Sequence, residues 1–495
     1  MSVRAKIFTS SIWSIVGAGS TMMSSFIVFA LMARLLTPID FGLVAFASVF
    51  IDITRRLVFG GLPDALIQRK EWDETAAATA FWMNLITSIA LAGLLAALAT
   101  PLGAGYDSAA FAGVLAALSL SLVIDALRGV HEARLRRDFG YKVLAIRMVV
   151  ANVVGGVAGI AMAFVGFGVW ALVAQRLIAS LSQTLTVWYT VPWIPKLVFS
   201  RTECAKMLRF GLNLMGAGLI GQLSIRVPDF VLGVFLGPVA LGLFRVASRS
   251  LYFLMQITVM PIQATAYSAF SRLPDAPAVG RAYLRMTRAT AFVAFPVFVG
   301  AAAVAPDFVV VCFGSQWQAS GAIMAVLALA IAPVTLVHFA QPALAALGRT
   351  QLVLLSSVAT FVMNAIAALA TVSFGVVAVA AGQTARAHVS APFALHMLRK
   401  GLGLTILRSL RSIMEPAAAS ALMAAVVVAA RLSILEDVSP VVRLVICVIL
   451  GAALYAGLLL AFARPYVVEL MLELLPTLPP AARRVAEKII PRIRR

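Results

Sequence analysis

The chain has 495 residues, 62% hydrophobic and only 12% charged, with 40 Lys and Arg against 20 Asp and Glu for a net charge of +20. Together with a mean hydropathy of +0.99, this exceeds the apolar content of soluble domains, and the short segments between apolar runs leave no room for a soluble catalytic domain. The basic residues collect in alternate loops, which positive-inside topology explains without a polyanion, so no nucleic acid partner is expected.

Windows of about 20 apolar residues suffice to cross a hydrocarbon core. They predict an all-α integral membrane protein with 14 transmembrane helices. The first six run over about 8–35, 41–62, 77–100, 107–127, 143–165 and 168–190, and the next six over 208–231, 238–265, 287–306, 320–342, 351–372 and 375–397. Two more follow at 412–432 and 441–463. Arg4 and Lys6 resemble the charged start of a signal peptide, but the uncharged run from Ile7 to Ala33 is too long for its core, so a retained first span is expected.

Charge tests the count. Loops assigned to the inside carry Arg69 and Lys70; Arg128, Arg134, Arg136, Arg137 and Lys142; Lys196, Arg201, Lys206 and Arg209; Arg272, Arg281, Arg285 and Arg288; and Arg399, Lys400, Arg408 and Arg411. Segments 103–107, 166–168, 232–238, 306–317 and 373–375, assigned outside, are nearly free of Lys and Arg. Both termini are therefore predicted to be cytoplasmic; the loops around Arg34 and between Arg431 and Arg443 fit less cleanly.

Leu36, Pro38, Gly42, Leu43, Ala47 and Ser48 recur 200 residues later as Leu236, Pro238, Gly242, Leu243, Ala247 and Ser248, and Ser24 recurs as Ser224. An even interval of six spans preserves orientation, so the repeat is parallel, about an axis along the membrane normal. The expected division is an N-terminal lobe over 1–195, a C-terminal lobe over 196–400, two further helices over 401–465 and a basic cytoplasmic tail over 466–495. From Pro479 to Arg495 the tail mixes Arg483, Lys488 and Arg492 with Val485, Ile489 and Ile493. It is either an amphipathic segment on anionic lipid or a basic tail that holds the C-terminus inside. Cys204, Cys312 and Cys447 are isolated, and neither a disulfide, a metal site nor a cofactor is indicated.

Ionisable groups near the bilayer centre cost roughly 2.5 to 3.5 kcal/mol each on insertion scales, so they usually face a water-filled path. The eighth span sets Arg245, Arg249, Tyr252 and Gln256 at helical spacing on one face. The second span carries Asp52, Arg55 and Arg56, and the repeat aligns Asp52 with Tyr252 and Arg56 with Gln256. By residue count Arg245 and Arg249 lie in the outer half, with Arg55 and Arg56 deeper toward the cytoplasm. Three pairs of readings stand. Arg245 faces a cavity or snorkels to the headgroups; Asp52 and Arg56 meet substrate or neutralise each other; Arg226 and Asp229, in the seventh span, bind ligand or form an intrahelical pair. His338, Gln341, Asn364, Gln383, Arg386 and His388 read as helix contacts, with proton coupling the alternative. Trp72, Trp82, Trp170, Trp188, Trp193 and Trp317 are expected as interfacial anchors.

Arg34-Leu-Leu-Thr-Pro-Ile-Asp-Phe-Gly-Leu43, Gln68-Arg69, Thr79-Ala-Phe-Trp82 and Phe313-Gly-Ser-Gln-Trp317 occur in that order. With the duplication, they resemble the polysaccharide-transporter branch of the multidrug/oligosaccharidyl-lipid/polysaccharide exporter superfamily over essentially the whole chain. The resemblance implies a flippase that moves undecaprenyl-linked oligosaccharide to the periplasmic leaflet of a bacterial inner membrane. It also implies two pseudo-symmetric six-helix lobes in a V, with spans 1, 2, 7 and 8 lining a cavity. Arg249, Arg245, Arg56, Arg55 and Arg226, with Asp52, Tyr252 and Gln256, are then candidates for contacting the pyrophosphate and sugar, since a guanidinium fork matches phosphate. Membrane lipids, a polysaccharide polymerase and a chain-length regulator are the partners in view.

A peptidoglycan-precursor flippase shares that lipid handle and stays open as an alternative. A cation-coupled drug exporter of the same superfamily fits less well, because the first span has no carboxylate from Phe8 to Leu36 and a basic cavity repels cations. A membrane polymerase or ligase needs a reactive constellation on an outer loop, where 306–320 offers only Asp307.

Overall fold

The computed structural model describes residues 3–59, 62–69, 71–105 and 109–462, together with 464 and 468. The amphipathic tail expected beyond Pro479 lies outside them. Along the chain come α1 (Val3–Leu35), α2 (Pro38–Phe59), α3 (Leu62–Ile67), α4 (Glu74–Gly105), α5 (Ala109–Ala126), α6 (Gly129–Arg137), α7 (Tyr141–Phe164), α8 (Val169–Thr190) and α9 (Arg201–Thr258). There follow α10 (Met260–Phe270), α11 (Ala276–Phe313), α12 (Gln318–Ala328), α13 (Ile331–His338), α14 (Ala340–Ala346), α15 (Thr350–Thr371), α16 (Val376–Leu402), α17 (Ile406–Ser433) and α18 (Pro440–Phe462). No strand occurs among the described residues.

Among the described residues seven helices are long and apolar enough to cross a membrane, or up to nine if each of two bent pairs forms one span. One bent pair is α5 with α6, at 42°. Helices α2 and α8 each have 22 residues, the length of a span, but carry Asp52, Arg55, Arg56 and Arg176 within it.

The expected outer loop at 232–238 is instead helix, with a single break. Gly237 has φ 78° and ψ −174°, a conformation that a side chain disfavours, and Pro238 is suited to start the next helix without needing its missing N–H. Asp229 and Arg245 stand equally far on either side of this glycine, and in a straight helix would lie about 24 Å apart. They form a 3.0 Å ion pair. The chain therefore folds back at Gly237, the tip of a helical hairpin.

The repeat-related turn between α1 and α2 is made differently. The Thr37 hydroxyl donates to Asp40 Oδ2 at 2.7 Å, and the Asp40 amide donates back to Thr37 Oγ1 at 3.4 Å. This reciprocal cap relieves the free helix start. In the second copy Gly237 and Ala240 stand at these positions, so the turn there relies on glycine's backbone freedom.

The chain forms two compact units. The first comprises Met1–Arg245, Cys312–Gln316 and Ser357–Val379, and the second Val246–Val311, Trp317–Ser356 and Ala380–Arg495. In the first, α1 packs on α7, α7 on α8, α4 on α5, and α2 on both α5 and α8. The two copies of the repeated motif meet inside this unit. Gly42 faces the Pro238 carbonyl and Gly242 faces the Pro38 carbonyl, so closely that a Cβ on either would overlap backbone. Such reciprocity is what a duplicated motif produces when its copies cross each other.

In the second unit α17 packs on α18 and α13, and α10 on α14. The buried Asp307 of α11 pairs with Arg431 of α17 at 2.9 Å and Arg443 of α18 at 3.1 Å. One carboxylate thus offsets part of the charge of Arg431 and Arg443, whose loop fitted the charge pattern poorly. Two of the expected interfacial tryptophans are core residues instead: Trp193 is 6% exposed and Trp317 fully buried.

Candidate functional site

The first unit holds a continuous, partly buried chain of ion pairs, and its hub is Asp52 on α2. Its Oδ1 accepts from Arg55 Nη1 at 3.2 Å and from Arg176 Nη2 of α8 at 2.9 Å, while Oδ2 accepts from Arg226 of α9. Arg176 also donates to Ser48 Oγ at 2.6 Å. Arg226 continues to Asp229 at 2.9 Å, and across the Gly237 hairpin Asp229 receives Arg245 at 3.0 Å.

In the other direction Arg55 bridges to Asp125 of α5 at 2.8 Å. Asp125 holds Arg128 at 2.6 Å and accepts from Ser180 Oγ of α8 at 2.5 Å. Arg128 reaches Glu132 of α6 at 2.7 Å, and Glu132 also pairs with Arg147 of α7. The network thus joins α2, α5, α6, α7, α8 and α9. Among the described residues seven guanidiniums (Arg55, Arg128, Arg136, Arg147, Arg176, Arg226 and Arg245) meet four carboxylates (Asp52, Asp125, Glu132 and Asp229) in these pairs.

A buried carboxylate without partners costs several kcal/mol, and Asp125 and Asp229 are 5% and 3% exposed. The arginines around them offset part of that cost. A cavity of about 510 Å³ opens onto the network, lined by Asp52, Arg55, Arg56, Asp125, Arg128, Glu132, Arg136 and Gln222. Among the described residues no group of three or more His, Cys, Asp or Glu side chains is placed to hold a metal ion.

The structure brings five of the sequence-derived candidates into the network: Asp52, Arg55, Arg226 and Arg245 with Asp229 beside them. Arg226 does form the intrahelical pair with Asp229, and Arg245 turns inward onto the same carboxylate. Of the two readings of Asp52 and Arg56, mutual neutralisation is not what the described residues show: Asp52 pairs with Arg55, Arg176 and Arg226, because three helices deliver guanidiniums to that carboxylate. Arg56 lines the cavity with no ion pair among the described residues. Arg249, Tyr252 and Gln256 belong to the second unit, where the Arg249 guanidinium sits 5.6 Å from the Tyr252 ring centroid, within cation–π range.

Sequence reasoning passed over Asp125, Arg147 and Arg176, although each is a lone ionisable residue in an apolar run and so carries the signal that marked Asp52. Arg128, Glu132 and Arg136 lay in a loop whose charge was assigned to topology.

These features define a polytopic α-helical membrane protein with a transporter fold, consistent with a place in the bacterial inner membrane. In the solved structures it resembles "Lipid II flippase MurJ, inward closed conformation" with a TM-score of 0.73 at 13% identity, over 93% of this chain and 100% of that one. An inward-facing multidrug resistance MATE family transporter of the MOP superfamily matches with a TM-score of 0.53 at 18% identity, over 81% and 95%.

Residues 31–322 match the family model described as "Polysaccharide biosynthesis protein", and the chain belongs to that family. Among similar proteins are the succinoglycan biosynthesis transport protein ExoT of Rhizobium meliloti (strain 1021), 25% identical over 66% of this chain and 67% of its own length, and the teichuronic acid biosynthesis protein TuaB of Bacillus subtilis (strain 168), 25% identical over 66% and 68%. The lipopolysaccharide biosynthesis protein WzxC of Escherichia coli (strain K12) is 24% identical over 64% and 65%.

Proposed function

We propose that the protein is a flippase for undecaprenyl-pyrophosphate-linked oligosaccharide repeat units, carrying them from the cytoplasmic to the periplasmic leaflet for exopolysaccharide, capsule or O-antigen export. The observation that carries this reading is an interior charge network with more guanidiniums than carboxylates, open to a cavity, in a chain with no room for a catalytic domain. A pyrophosphate bears the charge that such a site lacks, and arginine forks hold it through paired hydrogen bonds.

The proposal takes 14 spans with both termini cytoplasmic, lobes over 1–195 and 196–400, and alternating access between them. On that topology Asp229 and Arg245 lie toward the outer leaflet, about 12 Å of helix from the Gly237 tip, while Arg55 and Arg56 lie toward the cytoplasm. Arg249, Tyr252 and Gln256 supply further contacts to the pyrophosphate or sugar. A polymerase and a chain-length regulator receive and count the units after transfer. The excess positive charge disfavours cationic drugs as cargo.

A second reading, a peptidoglycan-precursor flippase, is favoured by the resemblance in fold to a lipid II flippase. Export by strains carrying Arg56→Ala or Arg249→Ala tests the site: polysaccharide at the surface is lost while the protein remains in the membrane. Full export in both variants refutes the site assignment. A leaflet-sidedness assay in vesicles, comparing a lipid-linked oligosaccharide with lipid II, decides between the cargoes.

A further inference from the structure

The four guanidiniums that line the cavity are not equivalent. Arg55 is held by Asp52 at 3.2 Å and Asp125 at 2.8 Å, and Arg128 by Asp125 at 2.6 Å and Glu132 at 2.7 Å. Each is therefore committed to two carboxylates. Arg136 has only a 3.7 Å approach to Glu132, a carboxylate already engaged by Arg128 and Arg147, and its side chain is 50% exposed. Arg56 has no ion pair among the described residues.

The short helix α6 holds Arg136 in place. Its Val130, Ala133 and Leu135 are buried at 1%, 1% and 8% exposure. The His131 ring stacks on Trp188 with centroids 4.7 Å apart, and its Nε2 hydrogen-bonds the Trp193 carbonyl at 3.1 Å. With that face fixed in the core, Glu132 and Arg136, one helical turn apart, face the cavity. A loop arginine needed only for topology has no reason to be aimed there.

We propose that Arg136 of α6 and Arg56 of α2 form the pair of cavity cations that takes the diphosphate of the lipid-linked substrate, an assignment that rests on the transport reading above. The committed arginines set the shape of the site, and the two uncommitted ones grip the ligand. Arg136 lies outside the polar stripes of the second and eighth spans, so it adds a contact from the segment between the fourth and fifth spans.

The test is binding of farnesyl diphosphate to the purified full chain in detergent, with farnesol as the uncharged control. Loss of a charge-assisted hydrogen-bond pair weakens binding about tenfold or more, so Arg136→Ala and Arg56→Ala each raise the Kd by that factor and leave farnesol unaffected. Arg136→Lys, which keeps the charge but loses the fork, falls between. Arg201→Ala, an exposed arginine away from the cavity, leaves the Kd unchanged. The double variant loses less than the product of the single losses, because both arms hold one ligand. Unchanged affinity in Arg136→Ala, or strict additivity, overturns this pairing and leaves the transport reading intact. Failure of the unaltered protein to bind the diphosphate more tightly than farnesol overturns both.

Discussion

Substituting Gly42 by Ala puts a methyl group into the crossing of the two repeated motifs. The added Cβ overlaps the Pro238 carbonyl and lies 2.7 Å from Pro238 Cα, where ordinary contact begins at 3.4 Å. Its neighbour is backbone, so no side chain can swing away and the helices themselves must separate. Overpacking in well-filled sites costs about 1 to 3 kcal/mol, and a backbone obstacle places this case at the upper end, about 3 kcal/mol. Gly242→Ala meets the Pro38 carbonyl carbon at 2.9 Å and the Gly42 amide at 3.2 Å, and is expected to cost a similar amount. Once one substitution has opened the crossing, the second finds it open, so the double variant loses less than the sum, with a coupling of about 1 kcal/mol. Gly93→Ala, where nothing lies within 4 Å of the new Cβ, is the control and stabilises its helix by up to about 1 kcal/mol. Thermal unfolding of the purified protein in detergent reads all four. Equal melting of Gly42→Ala and Gly93→Ala, or strict additivity of the two repeat glycines, refutes the reciprocal crossing.

Asp52→Asn removes the charge that Arg55, Arg176 and Arg226 share. Breaking a buried pair costs 3 to 5 kcal/mol in general; these arginines are 33%, 27% and 14% exposed, so partial solvation reduces the expected loss to about 2 kcal/mol. Denaturant unfolding in mixed micelles measures it, and a variant as stable as the parent contradicts the hub role. Outside the spans, hydrogen bonds from Lys206 and Arg69 hold the Glu203 carboxyl below its ordinary pKa of 4.5. Because the folded value is the lower one, its contribution to stability is present above 4.5 and fades as the pH falls through the folded pKa. Protection against hydrogen exchange at the start of α9, taken relative to the intrinsic rate at each pH, should therefore fall on acidification in the parent and depend less on pH in Glu203→Gln; identical profiles would remove Glu203 as the cause.

Much of the membrane architecture was legible because apolar length and repeated residues are local properties. The 200-residue echo of Leu-x-Pro-x-x-x-Gly-Leu marked the two motifs that meet at Gly42 and Gly242. Which groups pair was less legible, because spacing along one helix says nothing of what neighbouring helices deliver. Asp52 and Arg56 have the right interval for a pair, yet Arg176 and Arg226 arrive from α8 and α9 and occupy the carboxylate. The reversal expected over 232–238 is there but takes one residue instead of seven: a hairpin needs only one residue with positive φ, and Gly237 supplies it without breaking the apolar run. Trp317 looked interfacial by position, but side-chain burial is set by tertiary packing.

Helix α6 shows why loop charge alone says little about which cations line a cavity. Positive-inside topology needs cations near the inner interface but is indifferent to the direction in which they point. In α6 Arg134 and Arg137, three residues apart, lie over the Trp72 ring at 5.6 and 6.0 Å. Arg136 lies between them in sequence but turns with Glu132 to the cavity. At about 100° per residue a nine-residue helix separates the two faces, so one basic run stacks on Trp72 with one face and lines the cavity with the other. Charge counting sees three equivalent arginines, and only the helical phase, fixed by the burial of Val130, His131 and Leu135, tells them apart.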